Sequence, residues 1–328
     1  MRYGVTLQGV DEPNRFVELV RRIEDLGYDD LWLTDSSLHA GDAYVYVTLA
    51  LRGSTRLRVG TAVTNPLTRH PAITANAFRS FDATGPGRVV CGIGVGDRPL
   101  GELGLPMARL QTLRATVDAL RALWRGETID ASVGPWRLDQ ARLLSPVDPV
   151  PPVYVSASGP RALELTGTIA DGVILLTGLF PEGLAFAREQ LARGRERSDR
   201  PAFEETLFLY GAVDADEGRA IDAARSIAAW FPKTAPDYAR LAGMSEELIT
   251  SINDAYSGGE FQHAQRAAGL ISDDLVRKIA FCGTPAQASA KLDWLSAEGV
   301  RSVSVFPLGP DRLGTIERFA ELAIATGP

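Results

Sequence analysis

Eight times along this chain a short apolar run is followed by a stretch with apolar residues at helical spacing, and this recurrence constrains the fold more than any other feature. The runs occupy 3–7, 30–34, 57–63, 88–94, 153–156, 172–176, 206–213 and 302–306. The first amphipathic partner, 14–26, sets Phe16, Leu19, Val20 and Ile23 on one face and stops at Gly27, a residue that adopts positive φ without steric cost. Strands alternating with helices imply parallel pairing. Eight such units close an α/β fold of the (β/α)8 TIM-barrel type, whose functional residues sit at the C-terminal ends of the strands. A doubly wound sheet is the rival arrangement. Two stretches break the rhythm. Residues 127–144, with a Gly134-Pro135 turn, read as an inserted hairpin or loop, and 232–273 as a helical insertion without a matching strand. No linker rich in Pro, Gly or Ser divides the 328 residues, so one domain over 1–328 is expected.

Charge and composition exclude several classes of partner. Lys and Arg number 34 against 41 Asp and Glu, a net charge of −7, whereas nucleic-acid binding needs a concentrated basic face. No window approaches the ~18 uninterrupted apolar residues of a membrane span. Asp11 and Glu12 fall where the apolar part of a signal peptide would run, and the expected location is cytoplasmic. Cys91 and Cys282 are too isolated for a disulfide framework or a cysteine zinc site. His39, His70 and His263 show no metal spacing, so no metal is expected. His263 reads as a surface residue.

Three strand ends carry chemistry-bearing segments. Gly92-Ile93-Gly94-Val95-Gly96-Asp97 follows a strand, but its third glycine comes too early for a dinucleotide fingerprint, and the following Arg98–Gly101 reads as loop. The glycines either permit a sharp turn or let backbone lie flat against a planar ring. Ser156-Ala157-Ser158-Gly159-Pro160-Arg161 is a small-residue loop opening a helix. It is suited to an anion at the helix N-terminus, or simply to capping by Ser158. Thr64-Asn65-Pro66-Leu67-Thr68-Arg69-His70-Pro71 crowds polar groups at a third strand end. A purely structural account has Asn65 and Thr68 satisfying the turn, with Arg69 and His70 solvated. Asp35 and Asp97, also at strand ends, are candidate general acids.

In order along the chain, these segments resemble the bacterial-luciferase-like superfamily of flavin- and deazaflavin-dependent barrels. The likeness takes in Leu31–Asp35, Gly60–Pro66 with Thr68–Pro71, Gly92–Asp97, Ala157–Pro160, Ala170–Gly172, Gly283–Pro285 and Pro307–Asp311. Within it, the chain is most similar to methylenetetrahydromethanopterin reductases, which use coenzyme F420. The resemblance implies an enzyme, usually a homodimer, moving a hydride between the deazaflavin and a small organic substrate. It also implies a non-prolyl cis peptide at Ala62-Val63. Ala62, Val63, Thr64, Asn65, Gly94, Val95, Gly96 and Asp97 would then line the ring and its side chain. Ala157, Ser158 and Gly159 would contact the phosphate, Thr177 would add a cofactor contact, and Asp35 would sit near the ring's polar edge. Two departures bear on the chemistry. Thr6 stands where the reductases carry a carboxylate, and Ser36 where many relatives carry a histidine. That leaves Asp97, Asp35 and His39 as candidate catalytic residues. The alternatives are an FMN-dependent monooxygenase on the same barrel, and a non-catalytic binding protein or partner subunit. Arginines beyond Ser158, with Arg161 and Arg69 as the nearest, would favour F420 over FMN.

Overall fold

A computed structural model describes residues 1–256 and 264–324, without the side chains of Arg98 and Pro99; His263 lies outside the described residues. The chain opens with strand β1 (Arg2–Leu7), helix α1 (Pro13–Asp25), β2 (Asp30–Leu33), α2 (Ala43–Gly53), β3 (Arg58–Thr61), α3 (Pro71–Thr84) and β4 (Val89–Ile93). A short α4 (Arg98–Glu102) and a long α5 (Leu110–Trp124) lead to the hairpin strands β5 (Ile129–Val133) and β6 (Trp136–Ala141). Next come β7 (Val153–Ser156), α6 (Pro160–Ile169), β8 (Gly172–Leu175), α7 (Pro181–Arg195), β9 (Glu204–Val213) and α8 (Glu217–Thr234). The last third holds α9 (Pro236–Leu241), α10 (Glu246–Ala255), α11 (Gln265–Ala268), α12 (Asp273–Ile279), β10 (Phe281–Gly283), α13 (Pro285–Ala297), β11 (Ser302–Pro307) and α14 (Arg312–Ala323).

Eight parallel strands close on themselves in the order β1-β2-β3-β4-β7-β8-β9-β11, with β11 returning to β1. The barrel expectation holds, and the doubly wound rival does not. The 127–144 interruption is an antiparallel hairpin turning at Gly134-Pro135. One strand escapes sequence reading: β10, three residues long, adds to the upper end of β9. One loop is corrected too. Residues 98–102 form α4, because buried Leu100 packs at Gly96, where an added Cβ would come within 2.3 Å of the Leu100 side chain.

Local chemistry accounts for the helix ends. Glu12 caps α1 by accepting from the N–H groups of Asn14 and Arg15, with Pro13 at the first helical position. Thr284 and Gln287 cap α13 reciprocally. The apolar stripe of α1 buries Phe16, Val20 and Ile23. At the N-terminal ends of the strands the barrel interior is ionic. Arg58 donates to both Asp30 oxygens at 2.8 and 3.0 Å and lies over the Tyr154 ring, and Glu204 accepts from Arg2, Arg58 and Tyr154. Burial pushes the Glu204 carboxyl up, but the hydrogen bonds from Arg2 and Tyr154 and the charge of Arg58 outweigh it and bring it down to about 2. Above this floor, Trp32, Val90, Tyr154 and Ile174 form an apolar layer against which Ala62, Val63 and Phe208 pack. Among the described residues no helix is long and apolar enough to cross a membrane.

Candidate active site

The C-terminal ends of the strands surround a cavity of about 1010 Å³. One wall comes from the loops after β2, β3, β4 and β7, and holds Asp35, Ala62, Val63, Asn65, Gly94–Asp97 and Ser156–Gly159. These are the segments that the sequence singles out, now brought to one side of one opening. The Ala62-Val63 peptide is cis, as the resemblance implied. The stretch after it is tied to the β4 end, Thr64 N–H donating to the Gly92 carbonyl at 3.0 Å and Gly94 N–H to the Thr64 carbonyl at 2.9 Å. Here glycine is required by proximity. A Cβ on Gly92 would sit 1.8 Å from the Thr61 carbonyl oxygen, and one on Gly94 would sit 3.0 Å from a Val63 methyl. Gly96 has φ +76°, a left-handed conformation that glycine adopts freely.

Asp35 is buried and engaged from two sides. Arg69 reaches both its oxygens, and the Thr64 hydroxyl donates to Oδ2 at 3.0 Å. The same guanidinium pairs with Asp42 at 2.9 Å and lies 4.0 Å from the centre of the Tyr44 ring. Burial lowers the Arg69 pKa, but the Asp35 charge and hydrogen bond outweigh it and raise it above its ordinary value. Arg69 is therefore a structural cation rather than a solvated one. His70 is built in as well: its Nδ1 accepts from Ala72 N–H to cap α3, and its Nε2 lies 3.2 Å from the Arg137 carbonyl of the hairpin. Asn65 behaves as the turn requires, its Oδ1 accepting from the N–H groups of Leu67 and Thr68 at 2.9 Å.

At the first turn of α6, Gly159 holds the cap position with no side-chain hydrogen bond, so Ser158 is not its cap. The opening N–H groups of that helix lack intrahelical partners and border the cavity through Gly159 and Ala162. A Cβ at Gly159 would meet nothing within 4 Å.

Three singled-out side chains stand elsewhere. Thr177 is fully buried, its hydroxyl donating to the Gly178 carbonyl at 2.9 Å, and it does not line the cavity. Thr64 lies behind the wall, between Asp35 and the Tyr44 hydroxyl. His39 is one step removed. Its Nε2 lies 2.6 Å from Oε2 of Glu102, and it is Glu102 that borders the opening. Asp97 lies exposed at the rim. Of the two departures, Ser36 lines the cavity, whereas Thr6 is buried with its hydroxyl 2.8 Å from that of Ser304.

A family model described as luciferase-like monooxygenase matches residues 2–302. The chain belongs to that family. A 5,10-methylenetetrahydromethanopterin reductase from Methanolobus tindarius is 27% identical to it over 95% of this chain and 96% of the relative. An F420-dependent glucose-6-phosphate dehydrogenase from Beutenbergia cavernae is 32% identical over 62% of this chain and 65% of that protein. Among solved structures, the coenzyme F420-dependent tetrahydromethanopterin reductase of Methanopyrus kandleri superposes with a TM-score of 0.85, covering 99% of this chain and 98% of its own at 24% identity, a likeness of fold.

The opposite wall is what sequence reading missed. Gln8, Phe208, Tyr210, Trp230, Lys233 and Tyr256 all line the cavity. The available signal was period two: Phe208 and Tyr210 alternate along β9 and therefore share a face. Phe306, which its place at a strand's C-terminal end does mark as a candidate from sequence, joins them.

Proposed function

We propose that this chain is an oxidoreductase that uses coenzyme F420 to exchange a hydride with a small organic molecule held in the barrel mouth. The observation that carries the reading is the uncapped start of α6, which borders the same cavity as the glycine-built wall at Gly94. The residues fit such a group. The missing Cβ at Gly94 leaves a flat backbone face beside Val63, and the free N–H groups of α6 offer an anion site with space above Gly159. Ala62, Val63, Gly94 and Val95 would brace the ring, and Ser158 and Gly159 would hold the phosphate.

When bound, the deazaflavin supplies hydride chemistry. The chain's own contribution is placement and exclusion of water. Asp35 acts as a fixed acceptor rather than an acid, since Arg69 and Thr64 occupy both its oxygens. Asp97 at the rim and the His39–Glu102 pair are the remaining acid candidates, with His39 acting through Glu102. Thr6 is a buried hydroxyl held by Ser304 and is not among the cavity-lining residues, so a carboxylate role at the tip of β1 has no counterpart here. For that reason we do not carry the relatives' methylenetetrahydromethanopterin substrate over to this chain.

F420 is preferred to FMN because a relative named for F420, the F420-dependent glucose-6-phosphate dehydrogenase of Amycolatopsis mediterranei, aligns along 94% of this chain. The arginine channel anticipated for its acidic tail finds no support, because Arg69 is taken up by Asp35 and Asp42, and Arg161 is not among the cavity-lining residues. The reading also treats 1–328 as one barrel domain that forms a homodimer, for which sedimentation equilibrium is the check. Fluorescence titration with F420 and with FMN tests the cofactor assignment. Tight binding of FMN alone would replace F420 with the monooxygenase alternative, and binding of neither would favour a non-catalytic barrel.

A further inference from the structure

The wall facing the glycine face is aromatic and carries one cation. Tyr210 on β9 and Phe306 on β11 are register partners, with ring centres 5.2 Å apart. Trp230 on α8 meets Tyr210 edge-on at 5.8 Å. Lys233 follows Trp230 by three residues on the same helix, so the two share a face one turn apart. All four line the cavity.

Charge is distributed unevenly around the opening. The chain has only three lysines. Lys278 donates to the Ala242 carbonyl, and Lys291 donates to the carbonyls of Arg277, Ala280 and Cys282. Lys233 is exposed, has no hydrogen-bond or ion-pair partner among the described residues, and is the only lysine or arginine among those lining the cavity. The lining carboxylates, Asp35, Asp97 and Glu102, all belong to the loops after β2 and β4. An anionic group in this cavity thus finds its one lining cation at Lys233, on the side away from those carboxylates. A flat apolar body stacks well on the aromatic wall, where offset or edge-on ring pairs gain beyond their burial.

We propose that this wall selects an organic anion with a flat, apolar body, and that Lys233 pairs with its negative group. This substrate class rests on the oxidoreductase reading above. Lys233 also stands in the last turn of α8, where a cation favours the helix terminus. That role affects melting temperature alone and leaves ligand preference untouched.

Calorimetric titration of the full chain, with and without F420, with 2-naphthoate and its neutral counterpart 2-naphthamide tests the proposal. Naphthoate is expected to bind about tenfold more tightly, with the ratio falling as salt rises. In Lys233→Met the ratio falls to about one, while naphthamide and F420 affinities stay as they were. In Trp230→Ala both probes weaken and the ratio survives. Equal affinity for the two probes in the unmodified chain would overturn the proposal, as would a ratio that persists in Lys233→Met or no binding of either at millimolar concentration. Weaker F420 binding by Lys233→Met would overturn it too, by assigning the lysine to the cofactor. Discrimination that survives in a chain that binds neither F420 nor FMN would sink the oxidoreductase reading alone.

Discussion

Gly159→Asp separates binding from folding at the cavity more cleanly than any other single change. The backbone at Gly159 has φ −75° and ψ 153°, an ordinary extended conformation, and a Cβ there meets nothing within 4 Å. An aspartate fits without strain and would accept from the N–H of Arg161 or Ala162, supplying the cap α6 lacks. Asp exceeds Gly at this position by only a few tenths of a kcal/mol, so the helix holds or gains slightly. The anion site changes much more. Its N–H groups are taken, and a fixed carboxylate stands about 4 Å from an incoming phosphate, a repulsion of roughly 3–4 kcal/mol at the effective dielectric of a protein surface. That is a hundred- to thousandfold loss of affinity. Fluorescence titration gives the dissociation constant, thermal melting reports the fold, and Gly159→Ala is the control with near-normal affinity. Unchanged binding in the aspartate variant would place the phosphate elsewhere. A large fall in melting temperature would show that the start of α6 is not the open terminus described.

Three further outcomes are expected. Gly94→Val pushes a branched side chain past the 3.0 Å contact with Val63; cofactor affinity should fall more than about tenfold, at a stability cost near 1–2 kcal/mol, and normal affinity would remove the ring from that face. Arg69→Met leaves the almost fully buried Asp35 carboxylate without its cation, which costs about 3 kcal/mol in denaturant unfolding; Asp35→Asn in the same background should recover much of it, and a loss below about 1 kcal/mol would show that the pair is not structural. At Glu204 the folded pKa of about 2 lies below the ordinary 4.5, so its stabilisation is complete above about 4.5 and is lost as pH falls toward 2. Glu204→Gln should flatten the stability profile across that window, and an unaltered slope would contradict the assignment.

How much was legible follows the range of the interactions involved. The eight barrel strands, the hairpin at Gly134-Pro135 and the glycines at 92, 94 and 96 are visible because periodicity and turn chemistry are local. Asp35 could be placed at a strand end but not paired with Arg69, since their meeting depends on two βα loops folding over Tyr44. Thr177 shows the converse: a hydroxyl one residue too deep is spent on its own loop. The aromatic wall stayed hidden because Trp230, Lys233 and Tyr256 reach the cavity from α8 and the insertion that follows it, which no strand announces. Three-residue β10 carries too little pattern to read without its partner.

That partner, β9, has neighbours at three heights. Its first residues hydrogen-bond to β8, its middle to β11, and Gly211–Val213 to β10. At roughly 3.3 Å per residue, ten residues make a post two and a half times as tall as four-residue β8 and taller than six-residue β11 on its other side. The described elements between the top of that post and β10, α8 to α12, add no strand to the closed ring. With α8 kept, whose Ala224, Ile227 and Ala228 are fully buried in the core, the stretch from α9 to α12 supplies no stave of the barrel, so this chain could be refitted for new molecules by grafting at one place.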